Sequence, residues 1–377
     1  MWEFANPVRI LFGGGTLARV AGLIGNRPYC LVTYGEAYFE QLSRRVVERA
    51  GRPALVIDSV LPNPDFASLA DACARFAEHA PDDCVILALG GGSVIDAAKV
   101  LACAARGFEP IRRFLESGER EQELSAFPIV AVPTTAGTGS EVTSWATVWD
   151  AENQRKHSLA RSELYPTHAI VDPDLMLGIS REITVSTGLD ALSHALESLW
   201  NRNANPVSTN YAVYAATELI DALPRLVADL ANSDLRARVA RAALFAGLGF
   251  SNTKTALAHS VSYPITLKHG IAHGLACSFT LPMVMASAVG TDDDCDDALR
   301  RIFGSDLDAG VEQLRNFIAG LGVSTDPADY GVADEEWRAL VATALGGQRG
   351  QNFIGSRARV MQCFISRDIG AASQSTH

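Results

Sequence analysis

Asp190, His194, His259 and His273 are residue types that hold a transition metal, and their spacing suits that use. Asp190 and His194 lie four apart in Thr187 to Trp200, a run with helical periodicity, so both side chains leave one helix face and can share an ion. Between His259 and His273 stand Pro264 and Gly270, which argue against one continuous helix through both. A helix end followed by a helix start can bring them together. One carboxylate and three imidazoles with no thiolate suit zinc or ferrous iron rather than magnesium or calcium. The competing reading is four unrelated polar side chains, because an isolated His on a mixed helix is usually solvated and an Asp four residues before a His is common. A second constellation upstream bears on that choice.

Val85-Ile-Leu-Ala-Leu is an apolar run that ends in Gly90-Gly-Gly-Ser93, and Val94 onward reads as a helix. This is a buried parallel strand, a glycine turn and a helix start. Gly90, Gly91 and Gly92 let the backbone approach a pyrophosphate, Ser93 offers a hydroxyl, and the helix start offers free N–H groups and positive dipole. The motif is neither G-x-G-x-x-G nor a P-loop, and a triple glycine also closes ordinary turns. Another buried strand, Pro128-Ile-Val-Ala-Val, runs into Pro133 to Thr143, where Thr134, Thr135 and Thr138 can bond phosphate, ribose or carboxamide groups. The alternative is a turn-rich hairpin. Two such loops after two buried strands favour a nucleotide, since ligands of open α/β sheets collect at the carboxyl ends of strands.

Taken together, Gly90 to Lys99, Pro133 to Thr143, Gly188 to His194 and the His259/His273 pair resemble the iron-containing (group III) alcohol dehydrogenases, in order over about the first 285 residues. The resemblance implies an α/β N-terminal Rossmann-like domain plus an all-α C-terminal domain, the dehydroquinate synthase-like fold of that family. It implies NAD or NADP on the first domain, and Fe2+ or Zn2+ held by Asp190, His194, His259 and His273 on the second. It assigns further cofactor contacts to Tyr34, Gly35, Asp96, Ser140, Lys156 and Leu175. Trp145 and Phe250 fall on the substrate side with Cys277 just behind His273; their alternative role is core packing. The implied reaction is hydride transfer between NAD(P)H and a small aldehyde, the metal acting as Lewis acid.

Departures from the family pattern are informative. Tyr263 stands where members often carry a further His, four residues after the third ligand; a phenol ionising near ~10 is a poor base but can donate. His269 is the substitute candidate. At the end of the first strand, Tyr29-Cys-Leu-Val-Thr, Tyr34 and Gly35 occupy the place where NAD-specific relatives hold the ribose with an Asp, so NADP should be tolerated, with Glu36 nearby. The stretch from Gly346 lacks the Cys-x-x-Asn-Pro-Arg ending of many members, which implies a different substrate pocket. Phe250 to His259 and Arg349 to Gly355 resemble the phosphonoacetaldehyde reductase branch. A phosphonate needs fixed donors, and Arg349, Arg357, Lys254 and Lys268 are the candidates, their alternative role being surface solubility. Two rival readings are a dehydroquinate synthase-like lyase, which would have Glu in the first ligand place, and a non-catalytic nucleotide- or metal-binding module.

Length and composition, 377 residues with 48% hydrophobic and 20% charged, allow two domains, read as 1–182 and 183–377. Strand signals fade after Asp172-Pro-Asp-Leu, and Ala/Leu-rich helices follow, Asn210 to Leu223 ended by Pro224, then Leu235 to Gly249. A net charge of −11 argues against nucleic acid as partner. Neither a basic, apolar leader nor an apolar run of ~18 residues is present, so the expectation is a cytoplasmic chain without membrane contact. Seven scattered cysteines without a C-x-x-C pair read as buried small hydrophobes. The acidic run Asp292 to Asp297 reads as a solvated loop and helix start. Family habit implies a homodimer or higher homo-oligomer.

Overall fold

Short apolar runs buried on both faces become parallel strands, because only a sheet covered on two sides tolerates them. The computed structural model describes residues 1–153 and 155–365. Its strands are β1 (Arg9–Phe12), β2 (Tyr29–Val32), β3 (Leu55–Ile57), β4 (Val85–Gly90), β5 (Ile129–Pro133), β6 (Trp145–Asp150), β7 (Arg155–Ala160) and β8 (His168–Val171). Six form one parallel sheet in the order β1-β8-β5-β4-β2-β3. Alternate residues feed two cores. Cys30, Val32, Ile86, Ala88 and Ala131 face one side, and Tyr29, Leu31, Leu87, Leu89 and Val130 the other. The helices of this unit are α1 (Val20–Ile24), α2 (Ala37–Ala50), α3 (Phe66–His79), α4 (Gly92–Ala102) and α5 (Glu109–Ser117).

Strand order reverses beside β4, with β2 and β3 on one side and β5 on the other, so the carboxyl ends of β2 and β4 flank a topological switch point. Two expectations are corrected here. Tyr29-Cys-Leu-Val is the second strand, since the short edge strand β1 precedes it. The alternation of strand and helix expected up to about Asp172-Pro-Asp-Leu stops after β5, because β6 and β7 pair antiparallel in a separate two-stranded sheet.

Residue contacts divide the chain into one unit of Asn6–Gly178 and another of Ile179 onward together with Met1–Ala5. The first five residues therefore belong with the helices, not with the domain read as starting at 1. Ala5 N–H donates to Asn252 Oδ1 at 3.0 Å, and Phe4 packs on Tyr211. The read end of the second domain, at 377, lies outside the described residues. The helices of the second unit are α6 (Arg181–Leu199), α7 (Pro206–Ala228), α8 (Ser233–Thr253), α9 (Leu257–His269), α10 (His273–Ser278), α11 (Leu281–Ala288), α12 (Asp293–Phe303), α13 (Leu307–Gly320), α14 (Asp334–Gly346) and α15 (Arg357–Ile365). Ser180, Asn205 and Asn232 cap α6, α7 and α8 through side-chain oxygens.

Neither Pro224 nor Pro264 ends its helix. Each costs a backbone hydrogen bond, but α7 continues because its apolar face, including Leu219, Leu223 and Leu226, is buried in contact with α6 and α8. α9 runs on to Gly270, whose left-handed φ of 68° closes it. The acidic run does start a helix, Asp292 capping Cys295 N–H at 2.9 Å. Asp296 within it is buried and accepts the Gly290 N–H, so the run is not wholly solvated. All seven cysteines are free and buried. Among the described residues, no helix is long and apolar enough to cross a membrane.

Candidate metal centre and nucleotide loop

α6 carries Asp190 and His194 one turn apart, both buried, with Asp190 Oδ1 3.9 Å from His194 Nε2. Another turn on, buried Glu197 receives the start of α9. It accepts N–H groups from Ala256 at 2.9 Å and Ala258 at 2.5 Å, donors that no intrahelical carbonyl can satisfy. The same carboxylate lies 2.7 Å from His259 Nδ1. A carboxylate only accepts, so Nδ1 carries the proton and the Nε2 lone pair points the other way. There Nε2 sits 3.6 Å from Asp190 Oδ1 and 3.1 Å from His194 Nε2.

His273 opens α10, and Gly274 explains how it reaches the others. A Cβ on Gly274 would lie 2.0 Å from the Ser186 carbonyl oxygen, so only glycine lets α10 rest on α6 at this point. The His273 and His259 rings are 5.5 Å apart. One turn after His273, Cys277 Sγ stands 3.6 Å from His273 Nε2. Asp190, His259, His273 and Cys277 each offer a donor atom within 4.8 Å of the others'. His194 borders this group, its ring lying flat on Phe250 at 4.0 Å.

Burial alone would raise the Asp190 carboxyl, yet His194, His259 and His273 outweigh it and hold the group well below the usual carboxylate range. For His259, burial pulls the imidazolium down while Cys277, Asp190 and Glu197 raise it well above the ordinary histidine value. The Asp190 shift keeps an anionic oxygen at the centre, and the acidic neighbours of His259 make the same place favourable for a cation. Asp190 Oδ1 is buried without a hydrogen-bond partner, facing two imidazole nitrogens. Such a donor set fits a divalent zinc or iron ion.

Tyr263 follows His259 by one turn, and its ring lies parallel to that of His273 at 5.9 Å. Over Tyr263, 5.6 Å from its centroid, sits the Arg349 guanidinium, which also donates to the Thr255 hydroxyl. His269 is a correction. Ten residues along α9 from His259, hence about 15 Å away, it pairs through Nε2 with Glu336 at 3.0 Å, as Lys268 does at 2.6 Å. Arg357 is apart from the cluster as well, lining with Arg202 a pocket of about 460 Å³ that none of the metal-centre residues lines. Lys254 is exposed at the end of α8. Sequence reading missed Glu197 and the place of Cys277 among the donors. Their signals were the spacings from His194 to Glu197 and from His273 to Cys277, three and four residues on one helix face.

At the switch point the segments after β2, β4 and β5 meet around the glycines. A Cβ on Gly91 would lie 3.2 Å from Thr135 Oγ1 and 3.6 Å from the Tyr34 hydroxyl; one on Gly92 would lie 2.5 Å from Thr138 Cγ2. α4 begins at Gly92 with no side-chain cap on its first N–H groups, an arrangement that suits an anion. The Ser93 hydroxyl accepts the Asn63 N–H at 3.1 Å and bonds Tyr34. Gly35 lies under the Asp58 carbonyl, Thr134 is buried, and Lys156 on β7 faces Trp149 across the hairpin beside Asp96.

Asp96 and Ser140, read as nucleotide contacts, are also joined to each other and to the hydroxyl-rich loop. Ser140 Oγ donates to Asp96 at 2.5 Å, and Thr147 N–H donates to the same carboxylate at 2.8 Å. Fully buried Lys99 donates to the Ser140 carbonyl at 2.7 Å, the Thr143 hydroxyl at 3.1 Å and the Trp145 carbonyl at 2.8 Å. This network braces the hydroxyl-rich loop. Burial brings the Lys99 ammonium down to about 8, against Asp96 and Glu141, and pushes the buried Glu141 carboxyl up to about 7. The Leu175 side chain is part of the core, and its carbonyl accepts the Tyr38 hydroxyl.

Comparison with known proteins agrees with this arrangement. The sequence model of the iron-containing alcohol dehydrogenases matches residues 7–173, and that of the family's C-terminal domain matches residues 184–362. Phosphonoacetaldehyde reductase of Streptomyces viridochromogenes is 33% identical over 311 residues, 78% of this chain and 77% of that protein. NAD-dependent methanol dehydrogenase of Bacillus methanolicus is 28% identical over 92% of this chain and 93% of its own length. The crystal structure of sulfoacetaldehyde reductase from Bifidobacterium kashiwanohense in complex with NAD+ superposes with a TM-score of 0.89, at 28% identity, over 99% of each chain. Matched along nearly its whole length, in both the α/β and the helical half, the chain belongs to the iron-containing alcohol dehydrogenase family of oxidoreductases.

Proposed function

We propose that the chain reduces a small anionic aldehyde with NADH or NADPH in a metal-dependent reaction, phosphonoacetaldehyde being the candidate substrate. The observation that carries the anionic part is Arg349. Its guanidinium is half-buried on the Tyr263 ring, one ring from His273, and among the described residues no carboxylate pairs with it. A guanidinium held by a hydroxyl and an aromatic face, with its charge uncompensated, suits a phosphonate or sulfonate. The relatives that act on phosphonoacetaldehyde and sulfoacetaldehyde support the same class.

Zinc or iron held by Asp190, His194, His259 and His273 supplies Lewis acidity toward a carbonyl oxygen, and nicotinamide supplies the hydride. The residues of the chain do the rest. Glu197 fixes the His259 ring, Phe250 packs the His194 ring, and Tyr263 is assigned the proton delivered to the product oxygen. Tyr34 and Gly35 stand where an Asp would repel a 2′-phosphate, so NADPH is tolerated beside NADH, with Glu36 the carboxylate near Tyr34. A cytoplasmic homo-oligomer accompanies this reading as an expectation from family habit. The lyase alternative is not favoured, since Asp190 stands where such lyases place Glu and the named relatives are dehydrogenases and reductases.

The test is NADH and NADPH oxidation by metal-depleted protein reconstituted with ferrous iron or zinc, against phosphonoacetaldehyde, sulfoacetaldehyde and propanal. The expected result is a kcat/KM at least about tenfold higher for the anionic aldehydes, a difference of about 1.4 kcal/mol, which Arg349→Gln abolishes through KM. Equal or better turnover of propanal by the unaltered protein overturns the anionic reading.

A further inference from the structure

We infer that Cys277 is a ligand of the metal ion, adding a thiolate to the Asp and His donors. The inference rests on reading the donor cluster as a metal centre and goes beyond it in naming a sulfur. Cys277 Sγ lies 3.6 Å from His273 Nε2, and its donor position is within 4.8 Å of those of Asp190 and His259 as well. Bonds of about 2.05 Å to nitrogen and about 2.3 Å to sulfur would place two neighbouring ligand atoms of one ion roughly 3 to 4 Å apart. The observed separation, with Sγ 3.8 Å from Nδ1 of the same ring, is compatible with two ligands on one ion.

The surroundings of the sulfur agree. Cys277 has no solvent exposure, it contacts the His259 ring, and the Ser262 hydroxyl reaches it. A structural cysteine packed as a small hydrophobe would have apolar neighbours, whereas this one is surrounded by two imidazoles, a hydroxyl and a carboxylate. Its position follows from α10, which starts at His273 and returns to the same face four residues later. The His194 ring, stacked on Phe250, contributes a further donor from the other side of His259. Ligation exchanges the thiol proton for the metal, the proton passing to solvent. A thiolate is a soft donor, so it biases the centre towards zinc over ferrous iron.

Cobalt(II) added to metal-depleted full-length protein separates this inference from the reading beneath it. Visible d–d bands report cobalt in the centre, and a near-ultraviolet thiolate-to-cobalt charge-transfer band reports sulfur ligation. Expected are both band sets in the unaltered protein, and in Cys277→Ser loss of the charge-transfer band with the d–d bands retained at shifted positions. Cobalt bound at one per chain without a charge-transfer band overturns the inference while leaving the metal centre standing. No d–d bands at all overturns the metal reading and the inference with it. Should Cys277→Ser fold poorly, Cys277→Ala and the unaltered protein's own spectrum decide the matter. A charge-transfer band that survives both substitutions also counts against Cys277. In competition between zinc and ferrous iron, the unaltered protein should prefer zinc more strongly than Cys277→Ser does.

Discussion

Glu197 and His259 are joined by a 2.7 Å contact that fixes the imidazole while the same carboxylate anchors the first turn of α9. Replacing Glu197 by Gln leaves one acceptor oxygen and introduces donors facing N–H groups. Metal affinity of Glu197→Gln should fall about 10- to 100-fold, as read by competition with a chromophoric chelator. An unchanged affinity would show that the His259 ring is held by something else.

Asp190 and His273 are proposed ligands on different helices. Asp190→Ala or His273→Ala should empty the centre, with metal analysis and turnover falling together, and neither should be rescued by excess iron or zinc. A variant that kept one metal per chain and full activity would remove that residue from the set.

Two glycine substitutions should diverge. Gly274→Ala forces a Cβ to 2.0 Å from backbone oxygen of Ser186, which cannot rotate away, so it should cost about 3 kcal/mol or more and weaken metal binding. Gly22→Ala, inside α1 with nothing near its Cβ, should be neutral or stabilise by up to about 1 kcal/mol. Thermal unfolding of the two variants side by side is the check.

Tyr263→Phe removes only a hydroxyl beside His273. If that hydroxyl delivers the proton, kcat should drop about 10²- to 10⁴-fold while metal content stays constant. Unchanged kcat assigns the proton to water.

Stability should depend on pH through the buried pair in the hydroxyl loop. Folded Glu141 keeps its proton up to about 7 where the unfolded group, ordinarily at 4.5, has lost it. The folded state binds more protons in that window, so stability falls as pH climbs through it, by up to about 3 kcal/mol. Lys99, at about 8 folded against 10.5, works in the opposite sense, and stability recovers as pH rises between those values. Melting temperatures of Glu141→Gln should lose the lower slope and keep the upper one.

Much of this was legible in the chain because the signals are local. A glycine turn after an apolar run, and a carboxylate four residues before an imidazole, declare themselves by spacing alone, and their combination named the family and its two-part fold. What escaped depended on distant partners. Pro224 was read as a helix end because propensity ignores the packing that carries α7 through it, whereas the expected break between His259 and His273 is present and falls at Gly270. His269 was nominated because proximity in sequence to His273 says nothing about Glu336, which lies on another helix. The hydrogen bond between Asp96 and Ser140, and the Lys99 that braces it, were equally invisible, since these partners lie more than 40 residues apart. Glu197 went unread because a glutamate on a helix is ordinarily solvated, and only the arrival of α9 gives it four donors to receive.

The burial of every cysteine gives the protein built-in reporters. All seven cysteines are buried in the folded chain, so the rate at which a thiol reagent reacts should report opening rather than thiol reactivity. Cys30, Cys73, Cys84 and Cys103 belong to the α/β unit and Cys277, Cys295 and Cys363 to the helical one. The peptide that gains mass first under mild denaturant therefore names the half that lets go first, with no label introduced by design.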